Sequence, residues 1–289
     1  MNKIRILVTG ACGYIGRHVV GGWKAMGGGG AEVLAVDIIK RELPEGVPIF
    51  VGDILHDTSF VANLPAVDVV LHLAWQDGFK HNAPSHLANL NSHLNFILAM
   101  VEKGVKRVAV MGSMHEVGYW EGAITENTPC NPLSMYGVAK NALRQALVVA
   151  LNGKNTQLQW LRGYYIYGDD HANHSIFTKL LEAEAEGVTT FPFTTGKNKY
   201  DFVHVDDLAN MISAASLQDD IVGVINICSG KPKSLADAVE DFIASHNLNI
   251  QLEYGAFPDR PYDSPGVWGD ARKIQEIMAK SIYKEDSAR

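Results

Sequence analysis

Ile4-Arg5-Ile6-Leu7-Val8-Thr9-Gly10-Ala11-Cys12-Gly13-Tyr14-Ile15-Gly16 is the segment that decides the fold. The apolar run 4–8 predicts a buried strand, and the pattern over 14–26 predicts a helix. The glycines between them permit a sharp turn, a close approach of backbone N–H groups to a pyrophosphate, and tight packing of the helix on the strand. The helix N-terminus would present further unpaired N–H groups to phosphate. The segment therefore predicts a dinucleotide-binding turn.

A second apolar strand is predicted over 32–36 and ends in Asp37, which lies 21 residues after Gly16. A carboxylate at this place accepts hydrogen bonds from an adenosine ribose and repels a 2′-phosphate, which favours NAD over NADP. Lys40 and Arg41 follow closely, and they leave NADP open because cations accommodate that phosphate.

Strands and helices continue to alternate along the chain. Strands are predicted at 49–51, 67–71, 107–111 and 157–161, and helices at 85–103 and 134–151. Apolar strands that alternate with helices indicate a parallel sheet covered on both faces. The fold class is therefore α/β, a Rossmann-type doubly wound parallel sheet with a smaller C-terminal substrate-binding region.

The predicted division of the chain follows a change in pattern after Gly168, where polar and loop-like segments become frequent. Residues 1–168 are assigned to the dinucleotide-binding Rossmann domain, to which 201–228 are expected to return. Residues 169–200 and 229–289 are assigned to the small substrate-binding region.

Composition excludes several classes of function. The chain has 289 residues, 47% of them hydrophobic, and a formal net charge of −7, which argues against nucleic-acid binding. No apolar run of about 18 residues predicts a membrane span, and the N-terminus lacks the features of a secretory signal. Cys12, Cys130 and Cys228 are too scattered for a disulfide framework or a zinc site, so we expect reduced thiols, a cytoplasmic protein and no metal.

A second motif carries chemistry. Tyr136 and Lys140 are spaced i, i+4 on a predicted helix and therefore share one face. An ammonium beside a phenol favours the phenolate and lowers the tyrosine pKa, so the tyrosine can exchange a proton with an alcohol or ketone. Ser113 follows the strand predicted at 107–111, at the edge of the sheet where ligands bind, and its hydroxyl could hold the same substrate oxygen.

These motifs resemble those of the extended short-chain dehydrogenase/reductases, and in particular of the NAD-dependent nucleotide-sugar epimerase/dehydratase family. The likeness covers nearly the whole chain. Besides the glycine turn, Ser113 and the Tyr136–Lys140 pair, it rests on these segments: Gly52-Asp53-Ile54, Val70-Leu71-His72-Leu73-Ala74, 162–168, 201–207 and 226–230.

The resemblance implies which residues contact cofactor and substrate. Asn91 takes the place of a helix-breaking asparagine of the family, and Arg260 that of an arginine that grips a diphosphate. The implied cofactor-binding residues are Gly10, Cys12, Gly13, Tyr14, Ile15, Gly16, Asp37, Ile38, Asp53, Ile54, Leu73, Ala74, Trp75, Asn91, Met111, Tyr136 and Lys140. The implied substrate-binding residues are Trp75, His115, Asn173 and Arg260. A homodimer through the helices predicted at 85–103 and 134–151 is also implied.

Two residues separate this chain from the 4,6-dehydratases of the family. Those enzymes carry Asp-Glu directly after the catalytic Ser or Thr, whereas this chain has Met114 and His115. Water elimination needs a second proton-transfer pair, and methionine cannot supply one. His115 is retained as a candidate catalytic acid or base, with a structural loop histidine as the alternative.

The predicted reaction is the NAD(P)-dependent reduction of the C4 ketone of a nucleoside-diphosphate 4-keto-6-deoxyhexose. The stretch 258–270 is similar to that of such reductases, and the lean substrate side suggests a trimmed pocket that suits one-way reduction. Tyr136 would donate the proton, Lys140 would tune its pKa, and Ser113 would polarise the carbonyl. A 4-epimerase with tightly held NAD is the main alternative, and a non-catalytic cofactor sensor is disfavoured because Tyr136 and Lys140 are both present.

Overall fold

The computed structural model describes residues 3–25, 31–41, 43–168, 173, 175–258 and 263–286. Its strands, in chain order, are β1 (Ile4–Thr9), β2 (Ala31–Asp37), β3 (Ile49–Val51), β4 (Val69–His72), β5 (Arg107–Ser113), β6 (Gly122–Ile124), β7 (Gln157–Gly163), β8 (Tyr165–Tyr167), β9 (Thr190–Pro192), β10 (Lys199–Tyr200), β11 (Phe202–His204), β12 (Gly223–Ile227), β13 (Lys233–Ser234), β14 (Gln251–Glu253) and β15 (Gly266–Gly269).

The helices complete the alternating pattern. They are α1 (Tyr14–Ala25), α2 (Ser85–Ala88), α3 (Leu90–Glu102), α4 (Met135–Ala150), α5 (Ile176–Ala185), α6 (Val205–Leu217), α7 (Leu235–Ser245) and α8 (Arg272–Asp286). None of these helices is both long and apolar enough to cross a lipid bilayer, as far as the described residues extend.

Seven strands form one parallel sheet in the order β12-β7-β5-β4-β1-β2-β3. The chain runs outward in both directions from β1, so the strand order reverses between β1 and β4. A crevice opens at such a reversal, beyond the carboxyl ends of the strands, and ligands bind there. The predicted Rossmann-type sheet is confirmed, and the glycine turn after β1 lies at its switch point.

The two faces of the sheet are covered by separate apolar clusters, because successive side chains of a strand point to opposite faces. Ile6 and Val8 of β1 belong to the cluster that includes Trp23 of α1 and Leu208 of α6. Leu7 belongs to the cluster on the other face, which includes Phe96 of α3. This double burial explains why the strands read as continuous apolar runs in the sequence.

The helix predicted over 85–103 is broken, and the break corrects one residue assignment. Asn89 ends α2 and begins α3, with φ −90° and ψ −3°. The helix-breaking asparagine is therefore Asn89, whereas Asn91 lies exposed in the first turn of α3. Asn91 does not break the helix, and its contact with the cofactor stays a prediction.

A smaller lobe covers the carboxyl edge of the sheet. Its strands pair in the order β13-β10-β15-β6, with β8 beside β11 and β9 beside β14. A third apolar cluster, which contains Phe177, Phe193 and Phe242, holds α5 and α7 together. β12 pairs with β7 at the edge of the large sheet, as expected for a segment that returns to it, while the division of the chain into two domains stays a prediction.

Asp201 ties the lobe to the sheet. Its side chain is fully buried and accepts hydrogen bonds from the backbone N–H groups of Ser229, Gly230 and Gly269, and from the Ser229 hydroxyl. Ser229 and Gly230 follow β12 of the large sheet, and Gly269 ends β15 of the lobe. One carboxylate thus joins three segments that are distant in sequence.

Candidate active site

The turn after β1 is a close-packed cradle. Gly10 has φ +67°, and a Cβ on it would lie 2.7 Å from the backbone of Ala74. A Cβ on Gly16 would lie only 2.1 Å from the carbonyl oxygen of Gly10. Only glycine fits at these two positions, and the turn therefore brings bare backbone to the N-terminus of α1. This is the arrangement that a pyrophosphate requires, so the loop fits a dinucleotide.

Asp37 stands beside this cradle, at the end of β2. Its carboxylate accepts hydrogen bonds from the backbone N–H groups of Cys12, at 2.9 Å, and of Ile39, at 3.4 Å. The side chain is half-buried, and the neighbouring Ile38 is exposed at the rim. The negative charge is therefore fixed against the glycine turn, where an adenosine ribose would lie.

The structure gives the surroundings of several other residues that were expected at the cofactor. Leu73 and Ala74 pack against Gly10, and Ile15 faces the cleft. Ile54 is buried, while the Asp53 carboxylate accepts a hydrogen bond from the backbone N–H of Leu55 and pairs with His56. The hydroxyl of Tyr14 accepts a hydrogen bond from the Asn173 side chain.

Ser113, Tyr136 and Lys140 come together at the carboxyl end of β5. Ser113 ends that strand, and the other two residues lie on α4, whose first turn is capped by the Ser134 hydroxyl. The Ser113 side chain acts to lower the pKa of the Tyr136 phenol. The Lys140 ammonium donates to the carbonyl oxygen of Met111 at 2.7 Å. The predicted group of three is thus assembled by one strand end and one helix face.

Burial, rather than the neighbouring lysine, dominates the acidity of this group. It raises the pKa of Tyr136 to about 12, while the hydrogen bond from Ser113 acts in the lowering direction. Burial also lowers the pKa of Lys140 to about 7. The expectation that Lys140 lowers the tyrosine pKa is therefore not met in the protein without cofactor, because desolvation disfavours both charged forms.

Trp75 is placed against Lys140. The ammonium lies 3.6 Å from the centre of an indole ring. The indole stacks on His93 at 4.4 Å and donates a hydrogen bond to His86. These contacts hold the Trp75 ring against the Lys140 ammonium in a cation–π contact, and its contact with the cofactor stays a prediction.

Histidines line the approach to Tyr136. The rings of His81 and His115 lie 4.3 Å apart, and they lie 5.5 Å and 6.0 Å from the Tyr136 ring. Burial lowers the pKa of His115 to about 4, and His81 acts in the same direction. His115 is therefore neutral near pH 7. His81 was not anticipated, since its stretch carries no motif and its backbone carbonyl meets Tyr136 only in the folded chain.

A cleft of about 1300 Å³ opens above these residues, between the sheet and the lobe. Ser113, His115 and Tyr136 form its inner end. Aromatic side chains of the lobe line the rest, among them Phe177, Phe193 and Tyr200. Ligand pockets are commonly about 300–1,000 Å³, so this cleft is roomy, and the trimmed pocket expected from the lean sequence is not found.

Two predicted substrate residues have other outcomes. Asn173 is buried, and its side-chain oxygen accepts hydrogen bonds from the Ser175 N–H and the Thr178 hydroxyl. These bonds tie it to the first turn of α5, and its contact with substrate stays a prediction. Arg260 lies outside the described residues.

Glu116 was missed by the sequence analysis, although a signal existed. Ser113 followed by Glu three residues later is the pattern of a capping box. The structure contains this box, in which the Glu116 carboxylate accepts from the Ser113 N–H at 2.6 Å.

Comparison with known proteins decides the family. The model of the NAD dependent epimerase/dehydratase family matches residues 6–228, which include the glycine turn and the Tyr136–Lys140 pair. The chain belongs to this family. The predicted resemblance, the class of enzyme and the family's NAD cofactor are thereby confirmed.

Within the NAD dependent epimerase/dehydratase family, one relative is similar over nearly its full length. The dTDP-6-deoxy-L-talose 4-dehydrogenase (NAD(+)) of Aggregatibacter actinomycetemcomitans is 48% identical over 273 residues, which are 92% of this chain and 99% of that relative.

Solved structures of family members share the fold. The complex of MoeE5 with UDP-glucuronic acid and NAD superposes with a TM-score of 0.77 at 29% identity, over 95% of this chain and 92% of that one. The UDP-N-acetylglucosamine 4-epimerase of Methanobrevibacter ruminantium superposes with a TM-score of 0.82 at 21% identity, over 96% of this chain and 92% of that one. The second likeness shows the fold alone.

Proposed function

We propose that this protein interconverts a C4 ketone and a C4 hydroxyl on a nucleoside-diphosphate 6-deoxyhexose, and that it acts as the 4-keto reductase. The observation that carries the proposal is the placement of Tyr136 and Ser113 together in the lining of the cleft, with Lys140 one turn further along the same helix as Tyr136. A phenol in this place serves an alcohol–ketone exchange. The C4 position is supported by the 48% identical 4-dehydrogenase, whose named reaction is the same conversion in the opposite direction.

NAD is the cofactor that the site fits. Gly10, Gly13 and Gly16 would hold its pyrophosphate, Asp37 its adenosine ribose, and Trp75 and Lys140 would lie at its reactive end. When bound, the cofactor supplies the hydride, and the protein supplies position and charge.

The protein's own part is proton transfer. Tyr136 would give its proton to the substrate oxygen, because its high pKa keeps the phenol protonated at neutral pH. The Ser113 hydroxyl would hold the same oxygen and polarise the carbonyl. Lys140, with a pKa of about 7, would place an ammonium close to the oxygen that gains negative charge.

His115 has a substrate-facing role in this proposal. A neutral imidazole in the cleft lining can donate a hydrogen bond to a sugar hydroxyl or accept one from it. The next side chain toward Ser113 is Met114, which is buried and apolar, so these two positions lack the acid–base pair that water elimination needs.

The test is a panel of nucleoside-diphosphate 4-keto-6-deoxyhexoses, beginning with the dTDP sugars, each mixed with enzyme and NADH or NADPH. We expect loss of the absorbance of the reduced nicotinamide with at least one of them, and a 4-hydroxy sugar as the product. If no ketosugar consumes reduced cofactor, the reductase proposal is wrong.

A 4-epimerase is the second candidate, and the size of the cleft favours it. An epimerase must let a 4-keto intermediate turn over within its site, and about 1300 Å³ gives room for that motion. An epimerase would convert a UDP- or GDP-hexose without added nicotinamide. The reductase would show no such conversion and would require one equivalent of reduced cofactor per product.

Cofactor preference should depend on the charge of Asp37. The Asp37→Asn variant keeps an acceptor for the Cys12 N–H but loses the charge that repels a 2′-phosphate. We expect the ratio of kcat/KM with NADPH to that with NADH to rise by roughly tenfold, the equivalent of about 1.4 kcal/mol. Asp219→Asn, an exposed charge at the opposite end of the sheet, is the control and should leave the ratio unchanged. An unchanged ratio in Asp37→Asn would show that this carboxylate does not select the cofactor.

We also propose a homodimer formed through α3 and α4. Val138, Val148 and Val149 of α4 are exposed, with 41%, 54% and 76% of their surface accessible. Apolar residues on one exposed helix favour burial against a second copy. Sedimentation velocity would test this, and a monomer at micromolar concentration would contradict it.

A cytoplasmic location is proposed on the state of the cysteines. Cys12, Cys130 and Cys228 are all free thiols. Free thiols are typical of proteins kept in a reducing compartment. Fractionation of the source cells would test the location.

A further inference from the structure

Glu116 is a fully buried carboxylate that the proposed reaction does not use directly. Its oxygens accept hydrogen bonds from the Ser113 N–H at 2.6 Å and from the Trp160 indole at 2.8 and 2.9 Å. The strand makes room for it, because a Cβ on Gly112 would lie 2.1 Å from the Trp160 nitrogen and 2.7 Å from a Glu116 oxygen. A buried charge at this depth is expensive and needs compensation.

Two arginines supply that compensation. The Arg162 guanidinium, 1% exposed, lies 3.5 Å from the Glu116 carboxylate, and Arg144 lies 3.8 Å from it on its more open side. The carboxylate thus lies between two guanidinium groups and the backbone of Ser113.

We propose that Glu116 is a positioning residue of the active site, whose buried carboxylate fixes the backbone of Ser113 and whose charge retains the protons of Tyr136 and Lys140. The geometric part follows from the capping box: the Glu116 carboxylate holds the backbone N–H of Ser113, and the Ser113 hydroxyl accepts a hydrogen bond from the His115 N–H at 3.3 Å, so both the backbone and the side chain of Ser113 are held in place. The proposal rests on the proposed role of Tyr136 as the proton donor.

The negative charge of Glu116 acts on the pKa values of Lys140 and Tyr136 in the same direction. After burial, which dominates, the Glu116 charge raises the pKa of Lys140, and it also acts to raise that of Tyr136. A negative charge favours the ammonium and disfavours the phenolate, so both protons are held more firmly. Five histidines also surround the pair: His72 and His93 near Lys140, and His81, His86 and His115 against Tyr136.

Two substitutions are expected to shift the pKa values of Tyr136 and Lys140 in opposite directions. Glu116→Gln removes the negative charge and keeps an oxygen for the Ser113 N–H. Arg144→Gln removes a partly exposed cation and leaves the Glu116 charge less compensated. Reduction needs the proton on Tyr136, so the rate falls as pH rises through the pKa values of the pair. We expect this fall to move by roughly one pH unit, to lower pH in Glu116→Gln and to higher pH in Arg144→Gln.

The readouts separate this role from a structural one. The pH profile of kcat is measured together with the NMR titration of the Lys140 ε-carbon in enzyme with labelled lysine, assigned from Lys140→Arg. Glu102→Gln, which removes an exposed charge on α3, is the control and should move neither. A merely structural Glu116 would lower kcat equally at every pH and leave the Lys140 titration in place.

The outcomes are distinct. Opposite shifts in the two variants support the proposal, and shifts that are absent or of equal sign overturn it. Should Glu116→Gln fail to fold by thermal melting, Arg144→Gln decides alone, because its Lys140 titration must move to higher pH. Failure of the proposed reaction itself would appear as inactivity of the unsubstituted enzyme, while the Lys140 titration would still report on Glu116.

Discussion

Tyr136→Phe is expected to reduce turnover by roughly 10³-fold, because the variant lacks the proton that the substrate oxygen must receive and general acids contribute about 10²–10⁴. The ring contacts with His81 and Trp75 do not involve the hydroxyl and should persist. The affinity for NADH, measured by quenching of tryptophan fluorescence, should therefore stay within about twofold of the unsubstituted enzyme.

Tyr254→Phe is the matched control for this change. Tyr254 is exposed on the lobe, its ring packs against the edge of the lobe residue Phe193, and its hydroxyl bonds to Glu240. Its removal should leave both turnover and cofactor affinity unchanged. If Tyr136→Phe retained full activity with the reactive ketosugar, Tyr136 would not be the proton donor.

Gly16→Ala is expected to weaken NADH binding by at least about tenfold and to lower Tm by several degrees. The added methyl group would lie 2.1 Å from the Gly10 carbonyl oxygen and 2.8 Å from the Ala11 Cα, so the turn must open. Overpacking of this kind costs about 1–3 kcal/mol, and the displaced backbone would no longer present its N–H groups to the pyrophosphate. Calorimetric titration with NADH and a thermal melt measure the two effects.

Gly21→Ala on the same helix is the control. A Cβ there meets no atom within 4 Å, so alanine should be neutral or stabilise the helix by up to about 1 kcal/mol. Equal NADH affinity in the two variants would show that the tight cradle at Gly16 is not needed for the cofactor.

The sheet was predictable because its strands are buried on both faces. Such strands must be apolar throughout, and β1, β2, β5 and β7 were all identified to within about two residues of their ends. The lobe was harder, since β10 and β13 have only two residues each and take their partners from distant parts of the chain. The amphipathic helices α5 and α8 were also not predicted.

The parts of the site that depend on the spacing of residues within one turn or one helix were predictable. The glycine turn and the Tyr136–Lys140 pair are local patterns, and the structure places both at the crevice. His81 and Glu116 lie near Tyr136 but belong to other parts of the chain, and the local sequence does not indicate their distance to it. The tyrosine pKa was misjudged for a related reason, since desolvation depends on the whole enclosure and not on one neighbouring lysine.

The four hydrogen bonds on Asp201 have a consequence for how the chain unfolds. If the lobe were to open while the sheet stayed intact, the buried Asp201 carboxylate would lose the hydrogen bonds that cross between the two bodies. Partial opening is thereby penalised, and the lobe and the sheet become a single cooperative unit. We expect one calorimetric transition in the intact protein, and two separated transitions in Asp201→Ala would show that this residue couples them.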